Sequence, residues 1–152
     1  MIAAYSASNI IEHQIDTTKV DIFVDQDFVP GMDIMNEAAK SLGLEIIVIS
    51  AKRDTIIVHG AIVEPAKMSN HLVGHAVDVN IIVLQTKEYY NSVKMESSTG
   101  VVRQFIETVK QKGLRWGGDF HEKDPVHFDD GLNIRNPEEY KQKINEYFGK
   151  SC

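Results

Sequence analysis

Ser69-Asn70-His71-Leu72-Val73-Gly74-His75-Ala76-Val77-Asp78 runs directly into Val79-Asn80-Ile81-Ile82-Val83-Leu84. From Ala76 onward this segment reads as a strand. Val77, Val79, Ile81 and Val83 form its apolar face, and Asp78 and Asn80 point the other way. His71 and Asp78 are an odd number of positions apart, so on one unbroken strand they would face opposite sides. They converge only if the chain turns between them, and Gly74 is the residue that permits such a turn. A carboxylate embedded among apolar β-branched residues is costly to bury unless it is paired or metal-bound. The competing reading leaves Asp78 on the exposed face of an edge strand.

The partner segment lies much later, at Asp124-Pro125-Val126-His127-Phe128. Two imidazoles and one carboxylate make a full ligand set for a catalytic zinc, which keeps a fourth position open for water. A leftover carboxylate beside that set suits a general base. A lone histidine between Val126 and Phe128 is more often a core or surface residue than a ligand. Asp124, three positions earlier, shifts that balance, and Pro125 forces the backbone at Asp124 towards an extended form.

Around these segments, 20–25, 44–50, 55–58, 114–116 and 126–128 read as strands. Met32 to Leu42 reads as a helix after a turn at Pro30-Gly31 and is ended by Gly43. Its methionines read as core filler. Ser97 to Lys112 reads as a second helix, capped by Ser97 or Ser98. Asn136 caps a final helix with Pro137 at its first position. Strands and helices intermingle without a βαβ rhythm. The expectation is an α+β fold, a small antiparallel sheet with flanking helices, in one domain over 1–152.

The chain has 152 residues, with 22 acidic and 16 basic, for a formal net charge of −6. Its lysines and arginines are scattered, which argues against nucleic-acid or anionic-membrane partners. Cys152 is the one cysteine, so an intramolecular disulfide and a Cys-rich zinc finger are both excluded. Neither a signal peptide nor a membrane span is recognisable. The expected product is a cytoplasmic monomer that reaches any outside substrate only after release.

Other residues have weaker claims. Arg53, after the 44–50 strand, offers a planar fork for a substrate carboxylate or an oxyanion, or pairs with Asp54 in a solvated loop. Trp116, in Trp116-Gly117-Gly118-Asp119-Phe120, either walls a substrate cleft or belongs to the core. Asp119 reads as a turn residue and His75 as a second histidine orienting a ligand. His13, His59 and His121 read as surface or structural residues. No helical His-Glu-x-x-His, Gly-x-Ser-x-Gly or phosphate loop is present.

Ser69-x-His71-x-x-Gly74-x-Ala76-x-Asp78 followed by Asp124-x-x-His127 resembles peptidase family M15. These are the zinc D-Ala-D-Ala carboxypeptidases and L-alanyl-D-glutamate endopeptidases. The Trp116 to Phe120 stretch and an aspartate at the base position look most like the phage-endolysin branch. The resemblance runs from about Ile46 to Phe128. It implies one Zn2+ per chain held by His71, Asp78 and His127, with Asp124 as general base. Arg53 would act on the transition state or bind substrate, and Ser69 would support the site. The implied substrate is the peptide stem of bacterial peptidoglycan. Ser50-Ala51-Lys52-Arg53 matches its family counterpart loosely, and residues 54–60 replace the family's Gln-rich stretch. The same fold and triad resemble the signalling domain of Hedgehog proteins, which implies the alternative of a catalytically inactive, zinc-stabilised binding module.

Overall fold

A computed structural model describes residues 1–12, 22–52, 57–58, 61–62 and 69–149. Its strands are β1 (Ile2–Tyr5), β2 (Ile10–Glu12), β3 (Ile22–Asp25), β4 (Leu44–Ser50), β5 (Ile57–Val58), β6 (Ala61–Ile62), β7 (Ala76–Val83), β8 (Tyr89–Tyr90), β9 (Arg115–Trp116) and β10 (His127–Asp129). The helices are α1 (Val29–Leu42), α2 (Ser92–Glu96), α3 (Gly100–Gln111), α4 (Leu132–Arg135) and α5 (Pro137–Phe148). The fold is α+β, as the intermingled pattern predicts.

The main sheet has the order β2-β4-β7-β10-β9, and β8 also pairs with β7. β4 covers one edge of β7 along its length. The other edge is shared, by β10 at Ala76 to Asp78 and by β8 at Ile81 and Ile82. Asp78 therefore lies in an interior strand, which removes the edge-strand reading. The sheet departs from the antiparallel expectation at one place, because β2 runs parallel to β4. β1 and β3 form a separate antiparallel pair, as do β5 and β6.

One face of the sheet carries the core. Leu44, Ile46, Val48, Val77, Val79, Ile81 and Phe128 pack with Met32, Met35 and Ala39 of α1 and with Val102, Phe105, Ile106 and Val109 of α3. Helix α1 starts three residues earlier than expected and absorbs Pro30-Gly31. Pro30 lies in its first turn, where the missing N–H costs no intrahelical bond. The helix expected over 97–112 is α3, which begins three residues later than expected, at Gly100, and α2 precedes it. The hydroxyls of Ser97 and Ser98 donate back to the carbonyls of Val93 and Met95 and close α2. Ser98 thus ends a helix instead of capping the next. Thr99, extended at φ −128°, is the N-cap of α3. Asn136 caps α5 as predicted, its side chain accepting from the Glu139 amide.

A second, smaller cluster groups Val73, Leu132 and Tyr140. The Tyr140 hydroxyl donates to the Ser69 carbonyl at 2.9 Å. Helix α5 is thereby tied to the turn that precedes β7. No helix among the described residues is long and apolar enough to cross a membrane.

Candidate metal centre

The 69–75 turn brings His71 to Asp78. The Ser69 hydroxyl accepts from the His71 amide at 3.1 Å, the Gly74 amide donates to the His71 carbonyl at 3.2 Å, and the His75 amide donates to the Asn70 carbonyl at 2.9 Å. Gly74 turns the chain at φ +74°, and a Cβ there would lie 2.4 Å from the Asp25 amide nitrogen. Both the left-handed backbone and the close approach of β3 require glycine.

Register supplies the third member. His127 stands directly opposite Asp78 in the antiparallel β10–β7 pair. A register shift between Val48 and Ser50 places Ser50 opposite Asp78 on the β4 side. The next residue, Ala51, then presents its carbonyl to His71 Nδ1 at 2.7 Å. Phe128 fills the core face, so alternation turns His127 and Asp129 to the other face.

The three donor atoms form a small triangle. His71 Nε2 lies 3.1 Å from Asp78 Oδ1, and His127 Nδ1 lies 3.2 Å from each of them. The tautomers follow from the outer partners. The Ala51 carbonyl only accepts, so His71 Nδ1 carries the proton and Nε2 offers a lone pair. Asp129 Oδ2 accepts from His127 Nε2 at 2.6 Å, which turns Nδ1 inward. Lone pairs aimed at one point repel unless a proton or a cation sits between them. Burial alone would lower the His127 pKa, but its bonds to Asp129 and Asp78 outweigh burial and raise it to about 9. In the metal-free protein the proton fills that place. Burial would raise the Asp78 carboxyl, yet bonds from His127 and His71 hold it well below the usual range.

The triangle suits a metal ion. Tetrahedral donors at roughly 2.0–2.1 Å from a metal stand about 3.3 Å apart, close to the 3.1–3.2 Å found here. His71 and His127 are 2 % and 6 % exposed, so the donors are held by packing. Asp124 is half-exposed beside the triangle, with Oδ2 at 3.9 Å from His127 Nδ1. Its placement depends on Gly117, which accepts the Asp124 amide at 2.9 Å. A Cβ on Gly117 would lie 2.1 Å from the Asp124 carbonyl oxygen.

Other candidates take different places. Trp116 is buried at 4 % exposure and its indole N–H donates to the Pro125 carbonyl at 2.7 Å. Arg103 lies over its ring. Trp116 therefore braces the Asp124-Pro125 turn and does not wall a cleft. Asp119 pairs with Lys110 at 2.8 Å. His75 orients no ligand: its Nδ1 meets Asp130 at 2.7 Å and its Nε2 meets Asp25 at 3.1 Å. Arg53, His13, His59 and Cys152 lie outside the described residues. Sequence reasoning missed Asp129, whose signal was its spacing of two from His127 on one strand. It also missed the Ala51 carbonyl, which no side-chain pattern could reveal.

Residues 63–130 match the family model described as D-alanyl-D-alanine carboxypeptidase. This stretch of the chain is similar to M15-family peptidases. The matched span contains all three metal donors, Asp124 and Asp129, and stops short of Arg53. No curated protein matches the chain at a significant level. Among the described residues, His71, Asp78 and His127 form a cluster that could hold a metal ion.

Proposed function

We propose that this chain is an M15-type zinc peptidase that hydrolyses an amide bond in peptidoglycan stem peptides, as an L-alanyl-D-glutamate endopeptidase or a D-Ala-D-Ala carboxypeptidase. The observation that carries the reading is the donor triangle with the Asp124 carboxylate beside it. Two imidazoles and one carboxylate form a catalytic donor set that keeps one position open. Zinc bound there supplies Lewis acidity, lowering the pKa of a water to about 7 and polarising the scissile carbonyl.

The residues divide the work. His71, Asp78 and His127 hold the ion. Asp124, half-exposed beside the triangle, takes a proton from the attacking water and hands it to the leaving amine. Ser69 keeps the turn that presents His71. Arg53 is proposed, on the resemblance alone, to bind a substrate carboxylate or the developing oxyanion. An aspartate at the base position favours the endolysin-like branch. It also favours an enzyme over an inactive zinc-stabilised module, because a module needs no proton carrier beside its metal.

Incubation of the zinc-loaded protein with purified peptidoglycan, read by mass spectrometry, tests the proposal. New N-terminal D-glutamate would establish the endopeptidase, and released D-alanine the carboxypeptidase. Zinc binding without any release would overturn the enzymatic reading in favour of the module.

A further inference from the structure

Asp129 is 1 % exposed and lies on the metal face of β10. Its carboxylate meets four donors. Arg115 Nε and a terminal guanidinium nitrogen donate to Oδ1 and Oδ2 at 2.7 and 2.9 Å. The Gly131 amide donates to Oδ1 at 2.8 Å. His127 Nε2 donates to Oδ2 at 2.6 Å. Arg115 stands opposite Asp129 in the β10–β9 pair, so the bidentate fork is set by strand register. A carboxylate gripped on both oxygens cannot rotate.

We infer that Asp129, clamped by Arg115, is a positioning residue that fixes His127 with Nδ1 towards the metal. The inference rests on the metal reading above. His127 differs from His71 in offering Nδ1 where His71 offers Nε2, so its ring is correctly used in only one orientation. A ring flip about the Cβ–Cγ bond would carry Nδ1 away from His71 Nε2 and Asp78 Oδ1. The bond from Nε2–H to a fixed carboxylate opposes that flip and makes Nδ1 a stronger donor. An Arg–Asp pair that served only the fold would need no bond to the imidazole.

A carboxylate behind a ligating histidine typically contributes 10–100-fold to metal affinity. Zinc affinity of the whole chain, measured by competition with a chromogenic chelator, should therefore fall by about that factor in Asp129→Ala. The absorption of the cobalt-substituted protein should change with it, reporting altered ligand geometry. Asp129→Asn keeps an acceptor for the Nε2–H and should recover part of the loss. Arg115→Ala leaves the carboxylate in place but loose, and should weaken zinc to an intermediate degree. A folded Asp129→Ala protein with wild-type affinity and an unchanged cobalt spectrum would overturn the inference. Should Asp129→Ala fail to fold, wild-type affinity in both Asp129→Asn and Arg115→Ala would overturn it equally. If the unmodified chain takes up no zinc, the metal reading falls and takes this inference with it.

Discussion

His71 and His75 leave the same turn four residues apart, are equally buried, and meet opposite surroundings. His71 spends one nitrogen on the Ala51 carbonyl and turns the other towards Asp78 and His127. His75 meets a carboxylate at each nitrogen, Asp130 and Asp25. Asp25 is itself surrounded by donors: the Asp27 amide, Lys143 and the Tyr147 hydroxyl. Burial would raise the Asp25 carboxyl, but these donors outweigh it and hold it well below the usual range. One centre brings acceptors to a common point and calls for a cation. The other balances acceptors with donors and is complete within the protein. Burial and histidine content are alike in both, so the balance of donors against acceptors is what separates a chemical site from a structural one.

The sharpest way to break this contrast is to remove one histidine of the acceptor centre. His71→Ala should abolish stoichiometric zinc uptake and hydrolysis, read by metal analysis and by product release, while leaving the Asp25 cluster intact. Retained zinc would refute the ligand assignment. Asp124→Ala should keep the metal and reduce the hydrolytic rate by about 10²–10⁴-fold, the usual worth of a positioned proton carrier. Full activity in that variant would remove Asp124 from the mechanism.

The donor-balanced centre should answer in stability instead. Asp25→Ala removes the carboxylate that Lys143 and His75 share, leaving each with one carboxylate partner, Asp27 and Asp130, and should cost about 1–3 kcal/mol for the buried polar groups left unsatisfied. Urea unfolding should show that loss. Gly74→Ala sits between the centres and should cost at least about 1–3 kcal/mol from the left-handed backbone, together with weaker zinc binding, because the new Cβ would press on β3. A variant that lost stability but kept zinc affinity would show that the two centres are mechanically separate.

The smallest effect concerns pH. Because the folded Asp25 pKa lies below its unfolded value of about 3.9, its contribution is fully present above that value. It is lost as pH falls through the acid range below about 4. Urea midpoints of the wild type should decline there more steeply than those of Asp25→Asn. Equal slopes would mean that Asp25 contributes no acid-sensitive stability.

Much of this was legible along the chain. Alternation placed Val77, Val79 and Ile81 on the core face and Asp78 on the other, because side chains in a strand alternate whatever the strand pairs with. Asn136 with Pro137 announced α5, since capping is a local bond. The start of α3 was harder to see. It depends on Ser97 and Ser98 bonding backwards to close α2, which leaves Thr99 as the N-cap.

Only the tertiary structure decided which residues meet. The His127–Asp78 pairing is a matter of strand register, and the Ala51 carbonyl reaches His71 only because of the irregularity at Ser50. Trp116 and His75 changed roles for the same reason. An aromatic or an imidazole shows its chemistry in the sequence, but its partners come from elements distant along the chain. By itself the sequence determined the donor types, the turn at Gly74 and the alternation that separates core from site. Register and packing decided that three of those donors share one point, that Asp129 stands behind one of them, and that His75 serves the fold. Local periodicity is set by backbone geometry, whereas contacts across strands depend on how the whole sheet aligns.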